Sequence, residues 1–394
     1  VAGPRAQRSA AHRAGRRRAA RRGVMVAAAS VVVAVGTAAG LISALGDGRG
    51  ADEARPEVTG SLRLEQLPVV PSPSVNSASP SAGSKRTATL APSATRPARK
   101  PHTAPAATGL YRHPDSQVLD WVRAHPGDPR TAVIKSRIAD RPAAVWFADF
   151  TPSTIASRVR AVTSGAAAQG RVPVVVAYAI PGRDCGGASE GGAPDLAAYD
   201  AWIEKFALGL GSGEVVVILE PDSIAQADCL SESDRGARFA SLARAGRTLK
   251  AADPRARVYY DAGHSDWNPA ARQASLLKQA GAASPASSDG IFSNVSNFHT
   301  TADEIAYDRR VLAALGGPAD LGAVIDTSRN GNGAPADGEW CDPAGRRIGR
   351  PPTLSTGEAR IDGYLWVKLP GESDGCKGSP GTFSASYAYD LASP

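Results

Sequence analysis

Glu214–Ser223 reads EVVVILEPDS, and its first half decides the fold. Val215, Val216, Val217, Ile218 and Leu219 form an unbroken apolar run, mostly β-branched. Such a run suits a strand buried on both faces better than one with a wet side. It stops at Glu220-Pro221-Asp222-Ser223, so two carboxylates sit at the carboxyl end of a buried strand with a proline between them. A carboxyl group there is partly desolvated, which raises its pKa and suits it to donate a proton near neutral pH. The plainer reading is that Asp222 caps a following helix through its side-chain oxygen. This stretch alone leaves the two readings even.

Outward from this strand, helical and strand-like segments alternate from about Gly109 to the end, which predicts an α/β fold with a largely parallel sheet. Seven strands are expected: Ala143–Phe147, Val172–Ala179, Val215–Leu219, Val258–Asp261, Gly290–Val295, Ala323–Asp326 and Gly363–Lys368. Between them, Asp195–Leu210 carries Leu196, Tyr199, Ile203, Phe206 and Leu210 at helical spacing. Thr301 and Glu304 have the T-x-x-E spacing of a capping box.

The residues just beyond each strand carry the chemistry. The second strand runs into Arg183-Asp184-Cys185, the third into Glu220 and Asp222, and the fourth into Asp261, His264 and Trp267. The fifth leads to Ser296 and Asn297, the sixth to Asp326 and Arg329, and the last to Lys368, Glu372 and Asp374. In a parallel barrel these ends share one face, where active sites are built. Several carboxylates without a metal-ligand set point to acid/base chemistry; His264 and His299 are too few and too isolated for a zinc trio. Gly331-Asn332-Gly333 lacks the Lys-Ser/Thr of a phosphate loop, and no Gly-x-Ser-x-Gly elbow accompanies a triad. Two carboxyl groups flanking a bond, with indole platforms for sugar faces, fit glycoside hydrolysis. The candidate platforms are Trp146, Trp267 and Trp340, the last two in Gly/Asp/Pro-rich loops.

The net charge of +7 is unevenly spread: the first hundred residues hold 16 basic and 5 acidic side chains, which leaves the remainder acidic. That remainder has no basic stripe interleaved with aromatics, so no nucleic-acid partner is expected. Residues 1–23 are an arginine-dense head, and 24–46 are apolar and uncharged, as in an export signal or a membrane anchor with the arginines inside. Gly36 and the many alanines favour cleavage, with Thr37-Ala38-Ala39 as a weak site. Residues 47–108 are rich in Pro, Ser, Ala and Thr, without an aromatic residue, and read as a spacer. Residues 109–394 form the globular part. Cys185, Cys229, Cys341 and Cys376 match no zinc pattern, and with an export signal upstream they favour two disulfides in a secreted protein.

Six motifs, YAIPGRDCGG (Tyr178–Gly187), VILEPDS (Val217–Ser223), YDAGHSDW (Tyr260–Trp267), NVSNF (Asn294–Phe298), VIDTSRNGNG (Val324–Gly333) and WVKLPGESDG (Trp366–Gly375), resemble the family 6 glycoside hydrolases. These are cellulases acting on β-1,4-glucan. The resemblance implies a distorted, incompletely closed seven-stranded parallel β/α barrel (TIM-like) and an inverting mechanism without a cofactor. It implies Asp222 as general acid, Asp184 as the carboxylate that keeps that acid protonated and orders the water, and Asp374 as the proposed base, directly or through a water chain. Tyr178 would lie under the distorted sugar, with Ser189 reaching the same water. Lys368 and Glu372 would bind sugar, Arg329 would pair with the carboxylate network, and Trp146, Asp261, His264, Trp267, Asn297 and Trp340 would belong to the substrate cleft. Cys185 would pair with Cys229, and Cys341 with Cys376.

Two departures stand out. Phe298 occupies a position where the resemblance expects tyrosine, which removes a hydroxyl from a substrate contact, and Glu190 adds an acid beside Ser189. The segments after Cys229 and after Cys341 are short, too short to roof a tunnel, so internal cleavage through an open cleft is expected. The alternatives are a cellobiohydrolase of the same family and a non-catalytic glucan-binding protein; intact Asp184, Asp222 and Asp374 argue against the second. The chain is expected to act as a monomer, with a membrane contact only through residues 24–46.

Overall fold

A computed structural model describes residues 109–393; the basic head, the apolar segment and the Pro/Ser-rich stretch lie outside the described residues. Seven parallel strands follow one another in chain order across one sheet: β1 (Val145–Phe147), β2 (Val174–Ala177), β3 (Val215–Leu219), β4 (Ala256–Asp261), β5 (Gly290–Ser293), β6 (Gly322–Asp326) and β7 (Ile361–Leu365). Each overlaps a strand expected from the sequence. The helices are α1 (Gln117–Ala124), α2 (Thr131–Ile134, continued by a wider turn over Lys135–Ala139), α3 (Ile155–Ala168), α4 (Leu196–Leu210), α5 (Glu232–Ala252), α6 (Ala270–Gln279), α7 (Thr301–Leu315) and α8 (Ala385–Ala392).

The period-2 alternation of the strands explains why their apolar runs are continuous. Val174 and Val176 of β2 gather with Val216, Ile218, Tyr259, Phe292, Val324 and Leu365 in the barrel interior. Their neighbours Val175, Ala177, Val217, Leu219, Val258, Tyr260 and Ile291 pack outward against Tyr199, Trp202, Phe206, Leu242 and Val311 of the helices. Both faces are largely dry, so each fully buried apolar strand side chain contributes roughly 1.5–3 kcal/mol.

The barrel does not close. Between β7 and β1 one backbone hydrogen bond, Ala144 N–H to Trp366 O at 2.9 Å, spans the seam, joined by the Trp146 indole N–H to Val367 O at 2.7 Å. Helices α1, α2 with its continuation, and α8 cover it with Val118, Ile134, Ile138 and Ala388, which pack with Leu369 around Trp366.

Asp195 caps α4 by accepting the Ala198 N–H at 2.7 Å. The capping box expected at Thr301 and Glu304 is set one residue earlier. Thr300 is the cap, accepting the Asp303 N–H at 3.2 Å, while Glu304 turns inward and is fully buried.

Gly290 opens β5 at φ 145°, and a Cβ there would lie 1.8 Å from the Gly322 carbonyl oxygen of β6. Gly290→Ala should therefore lose about 3 kcal/mol or more of unfolding free energy by combining backbone strain with a backbone clash. Urea denaturation followed by far-ultraviolet circular dichroism measures it; an unchanged midpoint would mean the β5–β6 register is other than described.

Candidate active site

The carboxyl ends of the strands open into a cleft of about 1210 Å³. Its walls carry Asp184, Asp222 and Asp374, together with Trp146, Tyr178, Ser189, His264, Trp267, Asn297, Trp340, Lys368 and Glu372. Of the site residues expected from sequence, Asp261 and Arg329 are absent from the walls. Among the described residues, no group of three or more His, Cys, Asp and Glu side chains is placed to hold a metal ion.

The two carboxylates that end β3 do different things. Glu220 is fully buried and accepts the Ala179 N–H at 2.9 Å and the Ile180 N–H at 3.0 Å, which ties the end of β3 to the end of β2. Burial still pushes its pKa up to about 7 against those donors. Asp222 is half-buried and faces the cleft, with the Tyr178 hydroxyl 3.5 Å from Oδ2. Burial pushes Asp222 up to about 8, and the negative charges of Asp261 and Asp184 add to the push. Both residues turn in the left-handed region, Glu220 at φ 52° and Asp222 at φ 69°, which breaks the strand alternation and sends the two side chains apart.

Asp222 does not cap the segment after it. The Ile224 and Ala225 amides, which a capping Asp222 would take, donate instead to Asp261 Oδ2 at 3.0 and 2.8 Å, and Gly263 N–H donates to Asp261 Oδ1 at 2.9 Å. Asp261 is thus a buried support beneath Asp222, in place of the cleft position expected for it. Burial raises its pKa despite the backbone amides that it accepts.

On the next loop Asp184, at φ 54°, accepts the Ser189 N–H at 2.7 Å, and the Cys185–Cys229 disulfide fastens this loop to the segment beyond Asp222. Arg183, which sequence reasoning left without a role, threads beneath. It donates to the carbonyls of Ala148 and Ser189 at 2.6 and 2.8 Å and to that of Tyr178, with its guanidinium 4.4 Å from the centre of the Tyr178 ring.

The opposite wall is built on charge. Asp374 Oδ2 accepts from Arg329 at 2.7 Å, and Lys368 Nζ stands 3.3 Å from Oδ1. Arg329 is wholly buried, bonded also to the Tyr387 hydroxyl at 3.1 Å and to the Ser296 carbonyl. It acts on the carboxylate and does not touch the cleft. Phe298 lies over it, with the guanidinium 4.4 Å from the ring centre and the ring itself buried, so the missing hydroxyl removes no contact at the cleft wall. Asp342, also missed, organises the loop. Its carboxylate accepts from the Ser373 hydroxyl at 2.6 Å and from the amides of Asp374, Cys376 and Lys377 at 2.8, 3.0 and 2.9 Å. Burial would raise its pKa, but these donors outweigh it and the value falls below the ordinary one. The Cys341–Cys376 disulfide closes the same loop.

The aromatic groups line both arms. Trp146 meets Tyr178 edge to face at 5.3 Å. His264 stacks on His299 at 4.2 Å and leans on Trp267 at 5.2 Å. The two histidines, far apart in sequence, are therefore neighbours in space. Burial takes His264 down to about 3, and His299 adds to it; burial lowers His299 as well, so both rings favour the neutral form. Trp340 is 56% exposed, open to stack on a ligand. Glu372 is pushed up by burial to about 7, held lower than it would be by Lys368 and Arg329.

A family model described as glycosyl hydrolases family 6 matches residues 106–392. Endoglucanase 1 of Streptomyces sp. (strain KSM-9) is 52% identical over 284 residues, 72% of this chain and 77% of that protein. Endoglucanase A of Thermobispora bispora is 49% identical over 284 residues, and this chain spans 61% of that protein's length. The endoglucanase Cel6 of Mycobacterium tuberculosis, solved with methyl-cellobiosyl-4-deoxy-4-thio-β-D-cellobioside, superposes with a TM-score of 0.67 at 39% identity, over 73% of this chain and 97% of that one.

Replacing Asp342 by alanine leaves four donors without their acceptor and should cost about 2–4 kcal/mol of stability. Because its folded pKa is depressed, the stabilisation relative to Asp342→Asn should be full above the ordinary carboxylate value of 3.8 and shrink as pH falls through the folded value. Thermal melts of both proteins from acid to neutral pH check the sign; a gap that widens on acidification would contradict it.

Proposed function

The chain belongs to the glycosyl hydrolases of family 6, and on that premise we propose that Asp222 protonates the oxygen of the β-1,4-glucosidic bond that its cleft cuts. The enzyme is a cellulase of the endoglucanase kind. The observation that carries the assignment is the carboxyl of Asp222, half-buried at the end of β3, facing the cleft and pushed up to about 8. Such a group still holds its proton at neutral pH, where an ordinary aspartate has lost it.

Cleavage with inversion needs water on the far face of the sugar ring and a group to take its proton. Asp374 is our candidate for that group, acting directly or through a chain of waters that Asp184 and Ser189 order. Arg329 and Lys368 fix its orientation from behind. Asp184 also serves the acid, because its charge makes the ionisation of Asp222 less favourable. Trp146, Trp267 and Trp340 are proposed to stack on glucosyl faces, and Lys368, Glu372, Asn297 and the neutral His264 to hold their hydroxyls. Two disulfides support export to an oxidising compartment. Residues 1–46 would serve export or anchoring and 47–108 would be the spacer, with the enzyme working outside the cell as a monomer.

Asp222→Ala and Asp374→Ala separate the roles. A glucosyl leaving group must be protonated, whereas dinitrophenolate departs without help. Asp222→Ala should lose about 10²–10⁴-fold on cellulose and far less on dinitrophenyl β-cellobioside. The wild-type rate should fall as pH rises past about 8, where the acid loses its proton, and that limb should vanish in the variant on the aryl substrate. Asp374→Ala should impair both substrates. Equal damage to both by Asp222→Ala, with an unaltered circular dichroism spectrum, would move the acid to another residue.

A further inference from the structure

Beneath the Trp267 loop lies a pair of acids that the reaction does not use. Glu304 and Asp308 stand one helical turn apart on α7, and both are fully buried. Glu304 Oε1 accepts the Ser265 N–H at 2.8 Å, and Asp308 Oδ2 accepts the Ser293 hydroxyl at 3.0 Å. The remaining oxygens, Glu304 Oε2 and Asp308 Oδ1, are buried and reached by no hydrogen-bond donor. Between them on the same helix, the Tyr307 hydroxyl donates to the Ala262 carbonyl at 3.1 Å. Helix α7 therefore grips the β4–α6 loop on both sides of Gly263 and His264, directly before Trp267.

We propose that Glu304 and Asp308 share a proton and act together as positioning residues for Trp267 and His264, so that they govern the binding of long glucan chains. This rests on the reading of Trp267 as a sugar platform. Two buried carboxyls one helical turn apart, each with an oxygen that no donor reaches, are stabilised when a proton supplies the missing donor. Among the described residues no cation forms an ion pair with either acid. The charged and titratable groups around the pair are Asp303, Tyr307 and the exposed Arg310 on α7, His264 and Asp266 on the loop, His299 before the helix, and Asp261 at the end of β4. Both histidines are held neutral by burial, and on α6 Arg272 is engaged with Asp228 while Lys278 is exposed. Burial raises both carboxyls, and the charge of Glu304 raises Asp308 further. Removing the shared proton at alkaline pH would leave two negative charges in a dry site, and the amide of Ser265 is the contact free to give way.

The test uses the full chain and compares Glu304→Ala, Glu304→Gln, Asp308→Asn and Trp267→Ala on cellohexaose and on dinitrophenyl β-cellobioside. Losing one hydrogen bond to the loop should raise KM for cellohexaose about three- to tenfold in Glu304→Ala, with kcat within about twofold. Glu304→Gln, which keeps the acceptor and offers Asp308 an N–H, should restore KM. Wild-type KM for cellohexaose should climb as the pH is raised into the alkaline range, and Asp308→Asn, whose amide cannot lose the bridging hydrogen, should flatten that climb. Trp267→Ala is the control. If it raises KM while Asp308→Asn follows the wild-type profile, or while Glu304→Ala and Glu304→Gln are equally impaired in kcat on both substrates, the proposal fails and the platform stands. If Trp267→Ala leaves KM unchanged, the platform reading fails and takes the proposal with it.

Discussion

Burial raises a carboxyl's pKa furthest where few donors stabilise its charge, and Asp222 has one long contact of that kind, the Tyr178 hydroxyl. Five backbone amide contacts sit near the ends of β2, β3 and β4, and all go to other carboxylates. Those of Ala179 and Ile180 go to Glu220, and those of Ile224, Ala225 and Gly263 go to Asp261. Asp222 is left with a hydroxyl at 3.5 Å and two negative neighbours. Positive φ at Glu220 and Asp222 costs on the order of 1–3 kcal/mol at each residue. The buried strands and the Cys185–Cys229 link hold the turn in spite of that cost.

The far wall shows the opposite solution. Asp374 sits between Arg329 and Lys368, and Asp342 fixes the loop that carries it. Burying an arginine is costly unless its charge is matched, and here Asp374, the Tyr387 hydroxyl, the Ser296 carbonyl and the Phe298 ring share the task. One wall thus keeps a carboxyl protonated by starving it of partners, while the other surrounds a carboxylate with them. Reactions that give a proton at one point and take one at another need that contrast.

Much of this was legible in the sequence because strands announce themselves by apolar runs, and in a parallel barrel the residues just past each run must reach the same face. That logic found Asp184, Asp222, Asp374, Lys368 and Glu372 on the cleft walls. It misplaced Asp261 because a strand-end position does not say whether the side chain points up into the cleft or back into the protein; Arg329 also lies behind the wall, but it pairs with Asp374 as the resemblance implied. The cap of α7 fell at Thr300, since Thr300 and Thr301 are adjacent and either could begin the box. Asp342 and the His264–His299 stack escaped notice because their partners lie some 30 residues away in the chain, with no periodicity to announce them.

Direct titration of the Asp222 carboxyl tests the central claim without relying on turnover. With carboxyl-labelled aspartate, carbon NMR of the wild type should show an aspartate titrating near pH 8, and that transition should be missing in Asp222→Asn. A spectrum in which the Asp222 signal has finished titrating by about pH 5, as an ordinary aspartate would, contradicts the account.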